Sequence, residues 1–199
     1  MTRHADPMST RDQIIAAADA LFYSGSIRGI SVDAIAERAG VTKKTLYYHF
    51  RSKDELVAAY LEARDRPTME RYRNWAGTDG PLPDRIERMF IALARNAEKR
   101  SWKGCGFLRA AVELADSPGH PALDVARSHK AAFEKWLADD IGRAGHPDPA
   151  VLARMIMVLL DGAVARLLVQ RDPDYARDAA KAARLLLESQ PAPVPMYTD

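Results

Sequence analysis

The chain has 199 residues, 47% hydrophobic and 28% charged, with a formal net charge of +2 and a single cysteine. That is enough for a buried core, as one large domain or a small one joined to a larger one. A near-neutral total means that any nucleic-acid signal must be local, one thiol excludes an internal disulfide and suits a reducing compartment, and no apolar run approaches the ~18 residues of a membrane span. The opening MTRHADPMS also lacks the apolar centre of a secretory signal, so a cytoplasmic protein is expected.

Helix signals fill the chain and strand signals are nearly absent. The first helix opens at Thr10, with Gln13 three residues on in a capping-box pattern, and carries Ile14, Ala18, Leu21 and Phe22 as its apolar stripe. SGSIRG at 24–29 ends it. Ser31 caps a second helix, with Asp33 near its positive end and Val32, Ile35, Ala36 and Ala39 on its inner face. Gly40 stops that helix, and Thr42 caps a third running to about Phe50. Ser52 with Glu55 is another capping box and opens a longer helix to roughly Trp75. AGTDGPLPD interrupts the pattern at 76–84, and further helices are predicted over about 83–100, 105–116, 121–144, 149–170 and 173–189. Asp148-Pro149 and Asp172-Pro173 mark two of the starts. The expectation is an all-α protein of about nine helices. A domain over 9–66 precedes a second over 67–190, and the proline-rich tail 191–199 is disordered.

Two short helices separated by glycine describe a helix-turn-helix. Ala36 is the small residue at the crossing, Gly40 supplies the turn, and Leu46 faces back into it; Val32, Ile35, Val41 and Phe50 complete the core. On the other side of the third helix, residues 42–53 contain Lys43, Lys44, Arg51 and Lys53 and no acid. Such a run is either a solvated basic face or a surface for phosphates. Thr42, Lys43, Lys44 and Thr45 stand at the helix start, the end that meets base edges when such a helix enters a major groove. Tyr47, Tyr48 and His49 offer donors to phosphate. Ser31 and Lys53 start the flanking helices, whose free N–H groups favour anions.

Residues 10–56, above all ISVDAIAERAGVTKKTLYYHFRSKDELV, resemble the DNA-binding domain of the TetR/AcrR family of transcriptional regulators. The resemblance implies that the third helix lies in the major groove and that Thr42, Lys43, Lys44, Thr45, Tyr47, Tyr48, His49 and Lys53 are the positions that contact DNA; Ser31 joins them through its helix start alone. Many relatives carry a small residue where Lys44 stands, which leaves base, phosphate or solvent open for that side chain. It further implies a ligand-responsive repressor, a homodimer on palindromic double-stranded DNA. Its partners would be a small-molecule effector of unknown identity and a second copy of itself, with no cofactor and no membrane.

MIMVLLDGAVARLLV at 155–169 is apolar around nearly its whole circumference and must be covered on several sides. With the alanine-rich face of 173–189 it could form a four-helix interface with a second copy, as the family does, or a wholly internal core. An effector pocket needs apolar walls with a few polar anchors. Candidate walls are Met89, Phe90, Leu93, Trp102, Phe107, Phe133, Trp136, Met155 and Leu159, and candidate anchors are Glu113, His129 and Asp161. Core packing is the competing account of the first set. A structural hydrogen bond, ligand contact or solvent remain open for Asp161. Cys105 reads as a packing feature or as a reactive thiol at a helix start. Catalytic and metal assignments find no support: the histidines at 4, 49, 120, 129 and 146 are scattered, and neither HExxH nor a glycine-rich phosphate loop is present.

Overall fold

The computed structural model describes residues 8–189, so the expectations for segment 191–199 and for the first seven residues lie outside it. The described residues form nine helices and no strand: α1 (Thr10–Ser24), α2 (Val32–Ala39), α3 (Lys43–His49), α4 (Lys53–Ala76), α5 (Leu82–Ala97), α6 (Gly106–Glu113), α7 (Pro121–Arg143), α8 (Pro149–Gln170) and α9 (Asp174–Glu188). The start of α1 is capped one residue earlier than its sequence pattern suggests. Ser9 Oγ, rather than Thr10, accepts from Asp12 N at 3.2 Å. Asp148 makes no side-chain cap bond, because Pro149 brings the helical φ of the first position without one.

Two compact units result. The first holds the described residues up to Glu70 together with Lys103–Ala132; the second holds Arg71–Trp102 and the described residues from Phe133 on. Of the three boundaries, two therefore fall inside α4 and α7 and one in the segment between α5 and α6.

In the first unit, residues four apart on α1 (Ile14, Ala18, Phe22) point into one core with Ile35, Ala36, Leu46 and Phe50. Leu56, Val57, Tyr60 and Leu61 of α4 join them, and Phe107 and Ala110 of α6, Leu114, and Ala122 and Ala126 of α7 close the cluster. Polar bonds tie α6 to the turn after α1. Arg109 donates to the carbonyls of Tyr23 and Gly25, both at 2.7 Å, and Glu113 Oε2 accepts from Ser26 Oγ at 2.9 Å and Ile27 N at 2.7 Å. Tyr23 Oη accepts from Lys103 N and lies 3.2 Å from the Gly104 carbonyl, to which it donates.

In the second unit, α9 packs against both α5 and α8. Ala176, Ala180 and Ala183 are fully buried, and small residues there let the neighbouring helices approach closely. Arg184 of α9 reaches Asp84 and Glu87 of α5 at 2.7 and 2.6 Å. Along α8 the residues alternate between two environments. Ala153, Ile156, Leu160, Ala163, Val164 and Leu167 are buried, whereas Val151, Met155, Val158, Gly162, Ala165 and Val169 are exposed.

Candidate nucleic-acid interface

The interface is positioned by the elbow between α2 and α3. Ser31 Oγ caps α2 by accepting from Ala34 N at 3.1 Å. Gly40 ends it in the left-handed region, φ 68° and ψ 28°, where its N–H and that of Val41 return to the Glu37 and Ala36 carbonyls, each at 3.0 Å. A side chain added at Gly40 would meet nothing within 4 Å, so the glycine serves the backbone angle and not a close approach. Thr42 Oγ1 then accepts from Thr45 N at 3.1 Å and opens α3. Leu46 and Phe50 are fully buried and Ala36 nearly so, while Val32 and Val41 pack half-buried against the same core. These contacts fix the rotation of α3 about its axis.

That rotation turns Thr42, Lys43, Lys44, Tyr47 and Tyr48 outward, with Tyr48 85% exposed, and leaves Thr45 and His49 half-buried. The Tyr48 and His49 rings meet edge-on at 5.2 Å. The hydroxyls of Thr42 and Thr45 lie 2.8 Å apart. At the start of α4, Ser52 Oγ accepts from Glu55 N at 3.1 Å and the Glu55 carboxylate accepts from Arg51 N at 2.7 Å, the capping box read in the sequence. The half-buried Lys53 donates to the Arg28 carbonyl at 3.3 Å. Burial lowers its pKa, against the opposing pull of Asp54 and Glu113.

One member of the surface did not stand out in the sequence as a partner of α3. Asp33, at the start of α2, pairs with Lys43 Nζ at 3.0 Å, and that hydrogen bond raises the lysine's pKa. Asp33 was legible only as an acid at a helix start. Its reach across the elbow depends on the angle between two helices, which residue spacing does not state. No carboxylate among the described residues pairs with Lys44.

The candidate effector residues fall in both units. Phe107, Glu113 and His129 belong to the first; Phe90, Trp102, Phe133, Met155 and Asp161 belong to the second. Phe107 stacks flat on His129, ring centres 3.6 Å apart, and His129 Nδ1 meets Asp65 at 2.5 Å. Glu113 is engaged by the turn after α1. Phe90, Phe133 and Trp102 are packed inside, Met155 is 45% exposed, and Asp161 is half-buried. Cys105 is half-buried at the N-cap of α6 without a capping bond. No group of three or more His, Cys, Asp or Glu among the described residues could hold a metal ion, and no helix there is long and apolar enough to cross a membrane.

Residues 14–60 match the family model described as bacterial regulatory proteins, tetR family. The HTH-type transcriptional regulator TtgR of Pseudomonas putida is 43% identical over 58 residues, a stretch covering 29% of this chain and 28% of that protein. The HTH-type transcriptional repressor KstR2 of Mycolicibacterium smegmatis is 26% identical over 114 residues, 57% of this chain and 56% of its own. Among solved structures, a TetR-family transcriptional regulator from Streptomyces coelicolor superposes with a TM-score of 0.78 at 26% identity, covering 89% of this chain and 94% of that one. A TetR transcriptional regulator from Streptomyces avermitilis gives 0.73 at 33% identity, covering 88% of this chain and 98% of that one. A third of positions identical over nearly that whole chain, on the same helical framework and with the helix-turn-helix pattern at 14–60, places this chain in the TetR family of bacterial regulatory proteins.

Proposed function

We propose that this protein is a cytoplasmic transcriptional repressor that binds a palindromic operator as a homodimer, α3 of each copy entering the major groove, and that a small-molecule effector changes its hold on DNA. The observation carrying this reading is the outward face of α3. Cations, hydroxyls and aromatics stand on a helix whose rotation is fixed by the buried Leu46, between helix starts capped at Ser31 and Ser52. Residues 42–53 carry four cations and no acid, unlike the mixed charge of an ordinary solvated face. Thr42, Lys43, Lys44 and Thr45 stand at the helix start that would approach the bases, the two lysines long enough to reach flanking phosphates instead, and Tyr47, Tyr48, His49 and Lys53 where the phosphate backbone would pass.

The dimer reading is supported by the exposed apolar stripe on α8. Its spacings of four and three residues from Val151 to Val169 follow a straight seam, and Gly162 in its middle would let a second helix approach closely. The effector reading rests on the family's habit and assigns neither cofactor nor catalysis.

Selection of bound DNA from a random pool tests the assignment: it should return a palindrome. Against that sequence, Tyr48→Ala with Lys53→Ala should weaken binding to all DNA, whereas Thr45→Ala should relax sequence choice. Equal affinity of the parent and both variants would refute the role given to α3.

A further inference from the structure

A second concentration of cations lies in the second unit, around the loop joining α4 to α5. There a cleft of about 540 Å³, within the range of ligand pockets, is lined by Arg73, Thr78, Arg85, Trp136, Asp140 and Arg143 among others. Asp140 is 6% exposed, and a carboxylate so buried must be matched by donors. Arg85 supplies one at 2.8 Å while its Nε is held by the Gly77 carbonyl at 2.9 Å, and Arg143 supplies another while its Nε is held by the Asp139 carbonyl at 3.2 Å. One carboxylate thus orients two guanidiniums and neutralises one. Arg73 has no carboxylate partner among the described residues and lies 5.8 Å above the Trp136 ring. Three arginines less one aspartate leave a surplus of two positive charges around one concave space. Like charges gathered in a cleft repel one another unless an anion enters.

We infer that this cleft binds a small organic oxyanion, its carboxylate or phosphate headgroup between Arg73 and Arg143 and its flat apolar body against Trp136 and Leu82. Guanidiniums match both headgroups with paired donors, and Arg143, already fixed by Asp140, loses little freedom on binding. The assignment deepens the effector reading above and rests on it for its regulatory meaning, but the binding event itself needs no DNA.

Calorimetric titration of the full chain with benzoate, phenyl phosphate and the neutral benzyl alcohol tests it. At least one anion should bind saturably with a dissociation constant of roughly 0.1–1 mM, the strength available to so few atoms, and benzyl alcohol about tenfold or more weaker. The tighter anion identifies the headgroup. Arg73→Ala and Arg143→Ala should each weaken that anion about tenfold; the Arg73 variant should melt like the parent, whereas the Arg143 variant melts lower because Asp140 loses one of its two donors. No saturable heat from either anion, equal binding of the alcohol, or unchanged affinity in both variants would overturn the assignment. An anion that binds but leaves the operator affinity unaltered upholds the cleft and removes the effector reading from it.

Discussion

Lys43 and Lys44 are neighbours in sequence, yet only the first is held by a carboxylate. Solvent screens an exposed pair of this kind, so a phosphate can compete for the lysine while the Asp33 charge still repels the backbone. Asp33→Asn should therefore raise affinity for random DNA more than for the operator, and steepen the log–log salt slope by about 0.9, one further counterion released. Fluorescence anisotropy across a salt series measures both, and an unchanged slope would show that Lys43 touches no phosphate. Tyr60 makes a prediction of another kind. Burial pushes its phenol up to about 12 from an ordinary value of 10.0. Below pH 10 both folded and unfolded chains keep the proton. Between pH 10 and about 12 the unfolded chain releases it first, so stability falls as pH rises, by roughly 3 kcal/mol at most. Denaturant melts of Tyr60→Phe should lack that fraction of the alkaline loss; identical pH profiles would mean that the phenol is not protected.

At the level of helices, what the sequence made legible was local. The caps at Ser31, Thr42 and Ser52 and the stop at Gly40 each depend on residues at most five apart, and each is present. Ser9 was missed as the cap of α1 because two adjacent hydroxyls satisfy nearly the same pattern. Glu113 could not be read at all. It stood out as an acid in an apolar helix, but its partners Ser26 and Ile27 are 87 and 86 residues away. The elbow itself can be tested through its one left-handed residue. Gly40→Ala should cost about 1–2 kcal/mol from backbone strain alone, since the added methyl meets open space, and Gly40→Asn clearly less. Equal denaturation midpoints for glycine, asparagine and alanine would contradict this account.

On the scale of the molecule, the all-α class and helix order followed from periodicity, but the composition of the first unit did not, because segments far apart in sequence share its core. The apolar character of α8 was also legible; the division of its faces was not, since a helix apolar all round does not say which side its own chain covers. The exposed side gives a direct test. Val158→Lys, at a position 68% exposed, should leave the melting of the isolated chain nearly unchanged, convert a sedimenting dimer to monomer, and reduce operator affinity in parallel. A dimer that persists would place the self-contact elsewhere.

The joining of α6 and the start of α7 to α1–α4 also bears on how the molecule is made. A nascent chain leaves the ribosome from its first residue, and α1 and the two helices of the elbow emerge long before Phe107, Leu114 and Ala126. Until those arrive, the apolar side of α1 and α4 is covered only by α2 and α3, and the stretch between must be looped out to complete it. Synthesis therefore passes through an interval in which the future reading head exists as helices without a finished interior, and a chaperone would find its client there.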